Sequence, residues 1–383
     1  MHTAIAENFL SSTLATSICY FSLTRELKSA YCFFLTCLRD NSGSFKKITK
    51  KETTYMKLSI LDQLTVPKNQ SASDTLQEAK ELAQLAEKLG YTRIWYAEHH
   101  GSDAFASATP EILVAHIASA TEKIRVGAGG IMTMHYAPFK VAETFKTLAA
   151  LYPDRIDLGM GRSPGGSPLT TLALNNGQPP QLDQFDKLPE ILLFLREEFP
   201  EDHLYSKISA VPREVLLPQP WLLGASKESA RSAGEYGINF SFAQFIHGHL
   251  PKEVLSAYYK HFRPVTEQQE PQVSAAYFTF AADTKEEAEY HATSFEHYIF
   301  ATEHGLPNKF LSPEEALAFP YSEMDKLVLE QNKQRFVIGS SQEVAEFFHQ
   351  QEELGLTEAM LITPGYDKQT RFQSFERLAK ELL

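Results

Sequence analysis

Cysteine is nearly missing from this chain of 383 residues. Only Cys19, Cys32 and Cys37 occur, and none follows position 37. That excludes a disulfide framework, a CxxC zinc pattern and thiol chemistry in anything built from the rest. Basic charge is also in deficit, 36 Lys and Arg against 48 Asp and Glu, a net −12. The acidic balance (pI about 5.6) argues against a general nucleic-acid surface. No clean apolar run reaches the roughly 20 residues that a membrane helix needs. HExxH is absent, so the adjacent His99 and His100 are a weak zinc signal. GxxxxGK[ST] and a GxGxxG after a first strand are absent too, which disfavours nucleoside-triphosphate and Rossmann sites.

What is present divides unevenly. Residues 1–55 carry seven Lys/Arg against four Asp/Glu, which is +3 and leaves −15 for the remaining 328 residues. This stretch lacks a basic start, and Arg25, Glu26 and Lys28 interrupt its apolar part, so it does not read as a signal peptide. It is expected to be an extension outside the fold, disordered or arising from an upstream start codon. Residues 56–383 are expected to form the folded unit.

From Met56 the pattern alternates. Apolar strands are expected at 57–61, 92–98, 123–132, 155–161, 221–224, 238–242, 273–282 and 358–363. Between them run stretches with helical spacing, such as Leu82, Leu85, Ala86 and Leu89, stopped by Gly90. Eight strand–helix units predict an α/β fold, a (β/α)8 TIM barrel, with an open doubly wound sheet as the alternative. Long connections after strand four (163–182) and between strands seven and eight (about 284–334) are expected insertions, candidates for a lid and a substrate pocket.

In such a barrel chemistry gathers at the carboxyl ends of the strands. Glu98, His99 and His100 follow strand two. One histidine can face the barrel mouth as acid, base or donor, although a satisfied loop histidine is the commoner case. Gly127, Gly129 and Gly130 punctuate strand three, where the missing Cβ allows close approach of a flat ring or, alternatively, a bulge. Arg162, within GMGRSPGG, suits a phosphate. Ser226 and Ser229 open the helix after strand five, an anion site by its free N–H groups or simply a capped helix start. Gln244 and His247 follow strand six. IGSSQEV (338–344) is a second helix start, with capping the favoured reading.

The succession GYTRIWYAEHH, IRVGAGGIMTMHYAPFKVAE, LYPDRIDLGMGRSPGG and RFVIGSSQEVAEFF resembles the bacterial luciferase-like flavin monooxygenases, in particular their single-chain, non-luminescent group. The resemblance runs from about Met56 to the C-terminus. It implies a (β/α)8 barrel with an insertion after strand four, and reduced FMN delivered by a separate NAD(P)H-dependent flavin reductase. It also implies O2 as co-substrate, a peroxyflavin that oxidises a small organic molecule, a cytoplasmic location and a homodimer. Position by position, Glu98 matches a carboxylate near the flavin and His99 the catalytic base. Gly129 and Gly130 match a pair joined by a non-proline cis peptide under the flavin ring. Arg162, Ser226 and Ser229 match phosphate contacts, and Gln244 falls near the pyrimidine edge. Ala225 stands where luciferase has an acidic residue and Gly161 where it has cysteine, which argues against light emission. A flavin- or deazaflavin-dependent reductase, or a non-catalytic flavin-binding paralogue, are the alternatives on the same barrel; a metal-dependent hydrolase is more distant.

Overall fold

Each strand–helix unit is set by local chemistry that the computed structural model makes explicit for residues 56–180, 186–306 and 309–383. The expected extension, with its three cysteines, lies outside the described residues. The first strand, β1 (Lys57–Asp62), leads to α1 (Ala72–Leu89). Ser71 caps α1 by accepting from Asp74 N, while the Asp74 carboxylate returns to the Ser71 backbone. Gly90 ends it at φ 92°, a left-handed value that glycine adopts without Cβ strain. The buried residues of α1, including Ala79, Leu82, Ala83 and Ala86, form the stripe that packs inward.

The chain continues through β2 (Arg93–Tyr96), α2 (Pro110–Ser119), β3 (Arg125–Met132), α3 (Pro138–Leu151) and β4 (Ile156–Gly161). An insertion carrying α4 (Pro168–Leu174) and α5 (Leu188–Arg196) precedes β5 (Gln219–Gly224), α6 (Lys227–Glu235), β6 (Asn239–Ala243), α7 (Gln244–His247) and α8 (Lys252–His261). Then come β7 (Val273–Ala282), α9 (Lys285–Glu303), α10 (Pro313–Leu317) and α11 (Glu323–Lys333). Finally β8 (Phe336–Ser340), α12 (Ser341–Glu353), β9 (Glu358–Ile362) and α13 (Lys368–Leu382) complete the chain.

All the strand pairings are parallel, in the order β1 to β7 and then β9, which closes on β1. That is the expected eight-stranded barrel. A ninth strand, β8, pairs with the second half of β7, where Phe278 opposes Phe336. The sequence reading assigned this segment only as a helix start. Its apolar part is three residues long and abuts the cap of α12, so no strand-length pattern develops. The cap itself is as expected: Ser340 accepts from Glu343 N and the Glu343 carboxylate returns.

The floor of the barrel is charged. The Arg93 guanidinium, 1% exposed, lies 2.7 Å from Glu358 and 2.8 Å from Asp157. Burial alone would favour its neutral form, but the two carboxylates hold it charged, and its pKa is raised. Arg125 also pairs with Asp157, and Ser59 donates to Glu358. Above this cluster Trp95 and Trp221 meet edge to face with centroids 5.2 Å apart. Trp95 Nε1 donates to Asp157, and the Arg93 guanidinium lies over the Trp221 ring at 4.6 Å. No helix among the described residues is long and apolar enough to cross a membrane.

Candidate active site

The carboxyl ends of the strands surround a cavity of about 1130 Å³. Of the residues singled out from the sequence, Glu98, His99, His100, Gly129, Gly130, Arg162 and Ser229 line it. Ser226 and Gln244 are not among its lining residues.

The loop after β2 is stitched on both sides. His99 N donates to Ser107 O, and His100 N to Gly165 O in the insertion after β4. Glu98 is fully buried, and both its oxygens are engaged. Oε1 lies 2.7 Å from His100 Nε2 and accepts from the Tyr136 hydroxyl at 2.8 Å. Oε2 accepts from Met132 N at the end of β3. The carboxylate therefore ties the β2 loop to β3 and orients His100.

His99 stacks on Phe105, with centroids 4.0 Å apart and planes 13° from parallel. Its Nδ1 is buried with no hydrogen-bond partner among the described residues. Burial, reinforced by His100 alongside, pushes its pKa down to about 4. Near neutrality the ring is uncharged: it can accept a proton or a hydrogen bond but cannot serve as an imidazolium acid.

The peptide between Gly129 and Gly130 is cis. Both residues must be glycine for reasons of space. A Cβ at Gly129 would lie 2.7 Å from Leu61 Cδ1 and 2.9 Å from Trp95 Cβ; at Gly130 it would lie 2.9 Å from Gly159 O. The strand end therefore presents bare backbone to the cavity.

Across from it, Arg162 Nη2 donates to Ser229 Oγ at 2.6 Å. Ser226 caps α6 by accepting from Ser229 N, and its hydroxyl is 3.1 Å from that of Ser229. Ser226, expected at an anion site with simple capping as the alternative, caps α6, while Ser229 and Arg162 face the cavity beside a helix N-terminus. That arrangement suits an anion. Gln244 begins α7 and is buried, with Oε1 unpartnered among the described residues. His247 Nε2 donates to Ala225 O.

The residues match the luciferase-like monooxygenase family model over 56–358. The chain belongs to this family. It is 43% identical over 333 residues to YceB of Bacillus subtilis (strain 168), covering 85% of this chain and 99% of that protein. It is 42% identical over 294 residues to the N-acetyl-S-alkylcysteine monooxygenase of the same organism, covering 76% and 87%. Among solved structures, apo-MsnO8 superposes with a TM-score of 0.77 at 33% identity, covering 86% of this chain and 99% of that one. The oxygenating constituent of 3,6-diketocamphane monooxygenase from Pseudomonas putida, solved with FMN, shares the fold (TM-score 0.62, 19% identity, covering 86% and 98%).

Several residues of this luciferase-like site escape a sequence reading. Tyr136 stands 38 positions from its partner Glu98. Phe105 carries the His99 ring, and Tyr298 on α9 meets Phe105 edge-on at 5.6 Å. Tyr136 lies within IRVGAGGIMTMHYAPFKVAE, where nothing local marks its role, and Phe105 and Tyr298 belong to no motif. No group of three or more His, Cys, Asp or Glu that could hold a metal occurs among the described residues.

Proposed function

We propose that this protein is the oxygenase component of a two-component flavin monooxygenase, acting on a small organic substrate with reduced FMN and O2. One observation carries the reading. A single cavity joins a bare glycine platform at Gly129–Gly130 to an anion cradle at Arg162 and Ser229. A flat ring bearing a phosphate tail needs both. Reduced FMN, when bound, supplies the electrons that activate O2.

The protein's own residues do the rest. Arg162 and Ser229 hold the phosphate and the glycine backbone supports the ring. Leu61, Trp95, Phe105, Phe245 and Tyr298 keep the interior apolar and limit water. His99 accepts a hydrogen bond or proton from the reacting group. Glu98 is a positioning residue, because its oxygens are committed to His100, Tyr136 and Met132 N. A separate NAD(P)H-dependent reductase would deliver the reduced cofactor. The similarity to an N-acetyl-S-alkylcysteine monooxygenase makes thioethers the first substrates to try.

The phosphate assignment has a direct test. Arg162→Ala should weaken reduced FMN in anaerobic titration by about 10- to 100-fold, the scale of a lost charge-assisted hydrogen bond. Its melting temperature should not change, because the guanidinium is exposed. Reduced riboflavin, without the phosphate, should bind wild type and variant alike. Equal FMN affinity in both proteins would remove the cradle from the account.

A further inference from the structure

The cavity has a second cationic position that the cofactor does not account for. Lys309 lines it, on the connection between α9 and α10. The residue after it is anchored: Phe310 is fully buried, bridges to Pro67, and accepts from Lys68 N through its carbonyl. Lys68 itself pairs with Glu315. Lys309 makes no ion pair among the described residues, although Asp103 also reaches the cavity. Glu98, the buried carboxylate nearby, is already satisfied.

Topology separates this lysine from the phosphate cradle. Pro67 and Lys68 belong to the loop after β1, so the segment carrying Lys309 sits over β1. Ser229 follows β5. In the closed order β1 to β7 and β9, β5 is four strands from β1 in either direction. Arg162, which donates to Ser229, follows β4, three strands from β1, so the two cations stand at well-separated strand ends of one mouth. The space between is walled by Leu61, Phe105, Phe245, Ile246 and Tyr298. One isolated ammonium, with neither guanidinium fork nor helix N-terminus, suits a single negative charge better than a phosphate dianion.

We propose that Lys309 is a specificity residue, binding the carboxylate of an otherwise apolar organic substrate across the cavity from the FMN phosphate. This rests on the flavin reading for what occupies the Arg162 side.

The test compares acid–amide pairs. Octanoate, 3-phenylpropanoate and N-acetyl-S-benzylcysteine, each beside its carboxamide, are titrated by calorimetry into the full-length protein carrying FMN. In the wild type the acids should bind about tenfold more tightly than the amides. Lys309→Met should abolish that preference and Lys309→Glu should reverse it, with FMN affinity unchanged in both. The proposal is overturned if no pair shows an acid preference in the wild type, or if the preference survives in Lys309→Met. It is equally overturned if Lys309→Met weakens FMN and not the acids, which would assign the lysine to the cofactor. Loss of FMN binding by the wild type would instead count against the flavin reading; the acid–amide comparison can be repeated without FMN.

Discussion

Arg93→Met should be the most damaging single substitution in the barrel, lowering stability by about 3–5 kcal/mol, the usual cost of breaking a buried ion pair from one side. In a thermal melt this is a fall of roughly 5–15 °C. The cause is what the variant leaves behind. Glu358, 1% exposed, keeps only the Ser59 hydroxyl among the described residues, while Asp157 still has Arg125 and the Trp95 indole. The asymmetry makes a second expectation. Adding Glu358→Gln to Arg93→Met should restore much of the loss, because the stranded charge is then gone. Adding Asp157→Asn should not, since it leaves the Glu358 charge unpaired, while Arg125 keeps Asp154 and the Ile156 carbonyl. The effect should reach the site: Trp95 sits on this cluster, and its side chain is what a Cβ at Gly129 would strike. A variant as stable as wild type would show that the floor charges contribute little.

His99→Ala should cut turnover by about 10²- to 10⁴-fold, the range associated with a positioned proton acceptor, while reduced FMN binds as before. The ring stacks on Phe105 in the loop after β2, while the cradle lies after β4 and β5, so cofactor affinity and turnover should separate. Its protonation gives an independent readout. With a folded pKa of about 4, against 6.5 for an ordinary histidine, the ring resonances should stay those of a neutral imidazole from pH 8 down to about 5. The sign for stability follows. The unfolded chain takes up this proton first, so the contribution is complete above 6.5 and is lost as pH falls toward 4. His99→Ala should remove that part of the acid sensitivity. A histidine resonance titrating near 6.5 at this position, or unchanged turnover in the variant, would contradict the assignment.

The sequence made the strand ends legible and left the interior of the site largely unreadable, for a physical reason. Alternating apolar strands and capped helices are local patterns, so the barrel followed from them, as did the placement of Glu98, Gly129, Gly130, Arg162 and Ser229 around one mouth. Pairings between distant strands leave no local trace. The Arg93–Asp157–Glu358 cluster draws on β2, β4 and β9, and Tyr136 reaches Glu98 from beyond β3. Lys309 falls in the insertion expected at about 284–334 as a candidate substrate pocket, but no motif singles it out. The two histidines illustrate the limit most clearly. One of the pair was expected at the mouth; both line the cavity, and only the packing shows that His100 belongs to Glu98 and that His99 is neutral on an aromatic ring. Ser226 was legible in type and ambiguous in role; the hydrogen bond from Ser229 N settles its capping function.

The central claim is that this cavity uses reduced flavin to place an oxygen atom from O2 into a small organic molecule. The most direct measurement loads the protein anaerobically with reduced FMN, adds a thioether acid such as N-acetyl-S-benzylcysteine with a panel of aldehydes and ketones, and admits isotopically labelled O2. Mass spectrometry of the products reads the outcome. The account predicts an oxygenated product carrying the label, with less hydrogen peroxide released than in the absence of substrate. Turnover of a substrate with a reduced deazaflavin in the absence of O2, with no label in any organic product, would contradict it and assign the barrel to hydride transfer.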